Sequence, residues 1–99
     1  MSYFVVINEQ GPAWDPTRSM RDQARWPDHA AFMNSLVDEG VVVLGGPIAG
    51  GPTHRARLIA KSVSEPALRA RLAEDPWMRM GLLRTLSIEP WEVLLGSED

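Results

Sequence analysis

Apolar side chains recur at intervals of three and four residues between Trp26 and Gly40, which is the period of a helix with one buried face. Pro27 suits the first turn, where its missing N–H is not needed, and Gly40 suits the position just after the last turn. The apolar stripe contains Phe32, Met33, Leu36 and Val37. One turn before this stripe, on the same side, lies His29. The sequence therefore predicts a helix whose buried face begins with a histidine.

Runs of β-branched and aromatic residues predict strands before and after this helix. The predicted strands cover 3–8, 41–44, 57–62 and 82–88, with an edge strand at 91–95 after a bend at Pro90. Segment 45–56 is rich in glycine and proline and is predicted to be a hairpin loop that begins with a turn. Residues 9–25 have no clear pattern, although 20–25 has a helical composition that would extend the helix backwards through a kink at Pro27.

A second helix is predicted after the third strand. Ser64 is a good N-cap for it, and the next two residues suit a first turn. Leu68 and Leu72 are its buried pair. Pro76 limits the helix to about residue 74 or 75, because the residue before a proline disfavours helical geometry. Asp75 therefore falls at the end of this helix, on its buried face.

The predicted order of elements is β-α-β-β-α-β, followed by an extra C-terminal strand. This is the α+β, ferredoxin-like arrangement, in which both helices cover one face of an antiparallel sheet. We expect residues 1–99 to form a single domain, because the chain has the length of one domain. The first two strands are apolar on both faces, so the sheet face without helices must be covered by another surface that buries its apolar side chains. A second copy is the simplest cover, and we predict a homodimer formed by sheet-on-sheet packing.

The predicted topology brings two inward-facing polar residues together. The helices run antiparallel to one another, so the start of the first lies beside the end of the second. His29 is at that start, and Asp75 is at that end. A carboxylate that accepts a hydrogen bond from one imidazole nitrogen leaves the other nitrogen free to take or give a proton. The alternative is a buried histidine that serves only the structure, with the carboxylate as its hydrogen-bond partner.

Three other residues are candidates for substrate binding. Arg25 precedes the first helix and either binds an anionic substrate or forms a surface salt bridge. Gly46 and Pro47 belong to the predicted turn, which either presents backbone N–H groups to an oxyanion or is a simple turn. His54 lies in the glycine- and proline-rich loop, where we expect it to be exposed to solvent. His29 and His54 form no helical metal pair and no third ligand is evident, so we predict no metal site.

Composition and charge narrow the classes of function. The chain has no cysteine and a formal net charge of −3. Disulfides, thiolate metal sites and cysteine nucleophiles are therefore excluded. The negative charge disfavours nucleic acid or an anionic membrane as a partner. No segment has the pattern of a signal peptide or the length of a membrane span. We therefore expect a cytoplasmic protein.

Several of these features occur together in an order and spacing typical of one family. They are the apolar first strand, the His29 helix that ends in Glu39-Gly40, the Gly45-Gly46-Pro47 turn, the helix leading to Asp75-Pro76-Trp77, and the closing Ile88-Glu89-Pro90-Trp91. With them the chain resembles the YciI-like (YCII-related) family of small dimeric α+β barrel proteins. The resemblance implies a ferredoxin-like fold, a homodimer formed by sheet-on-sheet packing, and an active site on the pair His29 and Asp75. One branch of the family removes chloride from a chlorinated hydroxyquinol. Segment 14–25 is longer here than in the shortest members, so this activity does not transfer directly.

The leading interpretation is a lyase- or isomerase-type enzyme without metal or organic cofactor, acting on a small hydroxylated or aromatic molecule. His29 would be the general acid/base, and Asp75 would orient it. No hydride carrier and no covalent nucleophile accompany the pair, so proton abstraction or elimination suits it best. The alternative is a non-catalytic dimeric ligand-binding module in which both residues serve the structure.

Overall fold

The computed structural model describes residues 1–96. Its strands are β1 (Ser2–Gln10), β2 (Val42–Pro47), β3 (Arg55–Ser62) and β4 (Leu83–Trp91). Its helices are α1 (Trp26–Asp38), α2 (Glu65–Leu72) and α3 (Pro76–Met80), with a 3₁₀ turn at Met20–Asp22. Within residues 1–96, no helix combines the length and the hydrophobicity that crossing a membrane requires.

The strands form one antiparallel sheet in the order β2-β3-β1-β4. Two helices pack on the same face of this sheet, because Leu36 of α1 and Leu68 of α2 share one core with Phe4 and Val6 of β1. This arrangement confirms the predicted α+β, ferredoxin-like fold class. It also places the start of α1 beside the chain that follows α2.

Within residues 1–96, the opposite face of the sheet carries apolar side chains but no helix. Val5 of β1 points to this face, since alternate residues of a strand face opposite sides. Leu44 lies opposite Ile59 and is 69% exposed, and Trp91 lies opposite Tyr3 and is 47% exposed. The face therefore leaves large hydrophobic groups in contact with solvent in the single chain.

The predicted extra C-terminal strand at 91–95 is wrong. Trp91 is the last residue of β4, and the rest of the described chain, 92–96, forms no strand. β4 continues through Pro90 because it lies at an edge of the sheet, where a proline without an N–H is tolerated. The bend expected at Pro90 therefore does not end the strand.

The turn predicted at Gly45, Gly46 and Pro47 is also wrong, because all three residues belong to β2. Gly45 lies opposite Leu58 of β3, and a Cβ atom on this glycine would lie 2.6 Å from Cδ2 of Leu58. The backbone of β2 therefore passes close to the buried Leu58 side chain, which would have to move to admit a Cβ atom at position 45. β2 is the other edge strand, so Pro47 is tolerated at its end. The connection to β3 is shortened to 48–54.

Segment 11–25 forms a folded loop rather than a backward extension of α1. The N–H of Gly11 donates to the carbonyl of Leu82 at 2.7 Å. The buried side chain of Gln23 accepts a hydrogen bond from the N–H of Asp15 and donates to the carbonyls of Asp15 and Arg18. These bonds satisfy the backbone of a segment that has little regular structure. The bond from Gly11 also ties the loop to Leu82, the residue before β4.

Candidate active site

His29 and Asp75 are in direct contact. Nδ1 of His29 is 2.8 Å from Oδ2 and 3.0 Å from Oδ1 of Asp75. The two side chains are 12% and 2% exposed. An ionised carboxylate only accepts hydrogen bonds, so it holds the imidazole with a proton on Nδ1. Within residues 1–96, Nε2 of His29 has no hydrogen-bond partner and is the nitrogen left for other chemistry.

The backbone around α3 holds the Asp75 carboxylate in place. α2 ends at Leu72, earlier than the sequence predicted, and Asp75 is the N-cap of α3 instead of the end of α2. Oδ1 of Asp75 accepts a hydrogen bond from the N–H of Trp77 at 2.9 Å. The N–H of Asp75 donates to the carbonyl of Leu72 at 3.1 Å. Pro76 suits the first helical position, where no N–H is needed. Both the side chain and the backbone of Asp75 are therefore fixed.

Trp77 fixes the plane of the His29 ring. The indole is fully buried and lies parallel to the imidazole, with an angle of 5° and ring centroids 3.9 Å apart. Its Nε1–H donates to the carbonyl of Ala24 at 2.7 Å, which ties the indole to the loop before α1. Trp26 contacts the imidazole at a tilted angle. The stack and the carboxylate together restrict rotation of the imidazole about its side-chain bonds.

A cavity of about 230 Å³ lies beside His29, and most of its lining is apolar. Gly46 and Pro47, which were predicted to bind substrate, line this cavity together with His29. Arg25, the third predicted binding residue, is not part of the lining. Its guanidinium forms an ion pair with Asp28 on the surface, and its backbone has a φ of 61°. The structure therefore gathers His29, Gly46 and Pro47 at one cavity and leaves Arg25 outside it.

The expectation that His54 is exposed is wrong, because His54 is half-buried and lines the same cavity. Its ring lies parallel to Trp14, at 8° with centroids 4.3 Å apart. The backbone N–H of His54 donates to Oε1 of Gln10 at 2.8 Å, and the backbone carbonyl of His54 accepts from the backbone N–H of Gln10 at 2.9 Å. Burial lowers the pKa of His54, and the nearby His29 lowers this pKa further. The neutral imidazole is therefore the favoured form at neutral pH.

Asn8 is a second lining residue that the sequence did not single out. It follows Phe4 and Val6 at the inward positions of β1 and is buried. Its Oδ1 accepts a hydrogen bond from the hydroxyl of Thr85 at 3.3 Å. A polar residue in the buried register of an apolar strand was the available signal for it.

The geometry supports transfer of a proton at Nε2 of His29. The tautomer is set by Asp75, the ring plane is set by Trp77, and the cavity has room for a small ligand. In the part of the chain that the structure describes, no three His, Cys, Asp or Glu residues converge as ligands of one metal ion.

Comparison with known proteins identifies the class of fold. No protein-family model matches the sequence, and no curated protein has a matching sequence. The fold is that of the small ferredoxin-like α+β proteins. It is similar to a solved structure of the 5-chloro-2-hydroxyhydroquinone dehydrochlorinase TftG from Burkholderia phenoliruptrix AC1100, in complex with 2,5-dihydroxybenzoquinone.

The similarity to TftG extends over most of both chains. It has a TM-score of 0.59 and 21% sequence identity, and it covers 90% of this chain and 93% of that chain. At this level of identity the likeness shows the fold alone. Membership of the YciI-like family therefore stays a prediction from the sequence.

Proposed function

We propose that this protein is a small cytoplasmic enzyme of the lyase or isomerase type that acts, without a cofactor, on a small hydroxylated or aromatic molecule. His29 is the general acid/base, and Asp75 is the positioning residue that orients it. The observation that carries this proposal is the 2.8 Å contact between Nδ1 of His29 and Asp75. This contact leaves Nε2 available to a ligand in the adjoining cavity.

The proposed reaction begins with a neutral His29. Nε2 takes a proton from the substrate, and the resulting imidazolium is stabilised by the Asp75 carboxylate through Nδ1–H. The electron-rich face of Trp77, parallel to the ring, favours the same charge. In an isomerase the proton returns to another atom of the substrate, whereas in a lyase the electron pair expels a leaving group. Both routes restore the neutral imidazole after the proton leaves.

The cavity supports a substrate with a single ring. An apolar cavity of about 150 Å³ admits benzene, so the 230 Å³ found here accommodates a six-membered ring with substituents. TftG, which shares the fold, was solved with a dihydroxybenzoquinone and is named for its action on a chlorinated hydroxyhydroquinone. A hydroxylated aromatic ring is therefore the substrate class that we propose. Gly46 and Pro47 contact it from β2.

We also propose a homodimer formed through the sheet face that has no helix. Leu44 and Trp91 on this face are largely exposed in the single chain, and a second sheet would remove them from water. Leu44→Lys places a charge on this face and is expected to give a monomer in analytical ultracentrifugation. Val63→Lys is the matched control, because Val63 is 76% exposed and lies outside the strands. A Leu44→Lys protein that keeps the mass of a dimer would exclude this interface.

The test of the enzymatic proposal is turnover by the wild type and His29→Ala on a panel of chlorinated and hydroxylated phenols and quinols. Chloride release and incorporation of solvent deuterium report elimination and proton transfer. We expect His29→Ala to lose about 10²- to 10⁴-fold in turnover, which is the usual contribution of a positioned acid/base. Unchanged turnover in the folded variant would exclude His29 from the chemistry.

The second candidate is a non-catalytic dimeric ligand-binding module. The capping of α3 by Asp75 favours it, since this contact gives the His29–Asp75 pair a structural task. In that case His29→Ala lowers the melting temperature strongly while ligand binding stays the same. The enzymatic proposal predicts the opposite pattern for His29→Ala, with little change in melting temperature and a loss of turnover.

A further inference from the structure

The side chain of His54 is held in place but has no protein partner for its ring nitrogens. Within residues 1–96, neither ring nitrogen of His54 takes part in a hydrogen bond. The backbone is tied to Gln10 by two hydrogen bonds, and the ring is stacked on Trp14. No buried side-chain nitrogen or oxygen atom of residues 1–96 lacks a hydrogen-bond partner, so the ring nitrogens of His54 remain accessible to solvent or to a ligand. A fixed imidazole that lines a cavity without such a partner is suited to bind a ligand.

The two histidines of the cavity are the ends of one row of aromatic rings. His29 stacks on Trp77 with centroids 3.9 Å apart, Trp77 meets Trp14 edge to face at 5.6 Å, and Trp14 stacks on His54 at 4.3 Å. Both imidazoles line the same 230 Å³ cavity. Both imidazoles are therefore available to a ligand in this cavity, whose lining is otherwise mostly apolar.

We propose that His54 is a second ligand-contacting residue, which binds a second oxygen substituent of the substrate while His29 acts at the reacting position. This inference rests on the proposed function, because it takes His29 as the reacting end of the site. The ligand class is then a single six-membered ring with at least two oxygen substituents. A neutral imidazole donates from one nitrogen and accepts at the other, so it pairs with a hydroxyl or with a carbonyl group.

Segment 11–25 is essential to this second contact. Trp14 comes from this segment, and the carbonyl of Gly81 holds it in place through the N–H of Ala13 at 3.0 Å. The longer loop therefore supplies the surface against which His54 is stacked. In this way the loop contributes to the choice of ligand through the ring on which His54 is stacked.

The experiment compares the binding of hydroquinone and 4-methylphenol, measured by calorimetry under nitrogen. The two probes have nearly the same shape, and only hydroquinone carries an oxygen atom at both ends. His54→Phe keeps a ring for the Trp14 stack and removes both ring nitrogens. We expect the ratio of the two affinities to fall about 3- to 10-fold in His54→Phe, the value of one hydrogen bond. His54→Gln, which keeps a hydrogen-bonding group, is expected to restore part of the ratio.

An affinity ratio that is the same in wild type and His54→Phe would overturn the assignment of His54. A wild type that binds neither probe would overturn it as well. Should His54→Phe fail to fold, the ring ¹⁵N signals of His54 in the wild type give the answer. They are expected to move with hydroquinone and to stay in place with 4-methylphenol, and equal shifts would exclude the contact. Turnover by His29→Ala tests the proposed function separately, so a failure of the proposed function can be distinguished from a failure of the His54 contact.

Discussion

Replacing Asp75 separates its structural role from its role in positioning His29. Asp75→Ala removes the N-cap of α3, which is worth about 1 kcal/mol. It also leaves the buried Nδ1–H of His29 without an acceptor, at a further 1–3 kcal/mol or so. Because the carboxylate is only 2% exposed, water does not replace it. We therefore expect Asp75→Ala to lower the free energy of unfolding by about 2–4 kcal/mol.

Asp75→Asn keeps the N-cap of α3 and is expected to move the ring proton of His29 from Nδ1 to Nε2. The amide oxygen still accepts from the N–H of Trp77, which is 2.9 Å from Oδ1 in the wild type. The amide NH₂ then replaces Oδ2, the atom 2.8 Å from Nδ1 of His29. An NH₂ group donates, so the shorter contact favours an Nδ1 that accepts, with the proton on Nε2, over an Nδ1–H that keeps only the 3.0 Å contact to Oδ1. The variant should lose less than about 1.5 kcal/mol of stability but about 10²- to 10⁴-fold in turnover.

Two measurements decide this prediction. Urea unfolding gives the stabilities of the two variants, and the ring ¹⁵N chemical shifts of His29 report which nitrogen carries the proton. Glu74→Gln is the matched control, because it neutralises the preceding carboxylate, which is half exposed and pairs with Arg71. The reasoning is refuted if His29 in Asp75→Asn keeps its proton on Nδ1. It is also refuted if Asp75→Asn is as unstable as Asp75→Ala.

Three further predictions concern the surroundings of the site. Trp77→Phe keeps a ring against the imidazole but loses the hydrogen bond to the carbonyl of Ala24. The free energy of unfolding, measured with urea, should therefore fall by about 1–3 kcal/mol. An unchanged unfolding midpoint would contradict the role of this bond. Gly45→Ala should lower the free energy of unfolding by about 1–3 kcal/mol, because its methyl group meets the Leu58 side chain of β3. Gly46→Ala is the matched control, because its methyl group meets open space, and it should change this free energy by less than about 0.5 kcal/mol. The lowered pKa of His54 means that the unfolded chain binds a proton at a higher pH than the folded chain, so stability falls as the pH drops below the ordinary value of 6.5. His54→Phe removes this contribution, so its stability should fall less than that of wild type between neutral and mildly acidic pH, and equal slopes would contradict the assigned shift.

The His29–Asp75 contact was predictable because it follows from local patterns and one topological rule. His29 lies on the buried stripe of α1, and Asp75 follows the buried pair of α2. The antiparallel packing of helices in this fold then brings together two residues that are 46 positions apart. The prediction did not need the exact end of α2, and it survives the finding that Asp75 caps α3 instead.

The second part of the site was not predictable from the sequence. His54 follows a run of glycine and proline, which is typical of an exposed loop. Its burial depends on Trp14, which belongs to a segment without a periodic pattern. That segment is held by hydrogen bonds to distant residues, such as the bond from the N–H of Gly11 to the carbonyl of Leu82. The residues around His54 and around Trp14 therefore give no indication that the two rings are in contact.

The sequence by itself determined α1, α2, the four strands of the sheet and their order, because periodicity and caps act within a few residues. Ser64 is an example, since its hydroxyl accepts from the N–H of Ala67, three residues on, as an N-cap should. Tertiary structure decided that Gly45 lies in a strand and that Pro90 does not end one, since both depend on the neighbouring strand. It also decided that His54 lines the cavity. Local patterns report which face of an element is buried, but the partner that buries it comes from elsewhere in the chain.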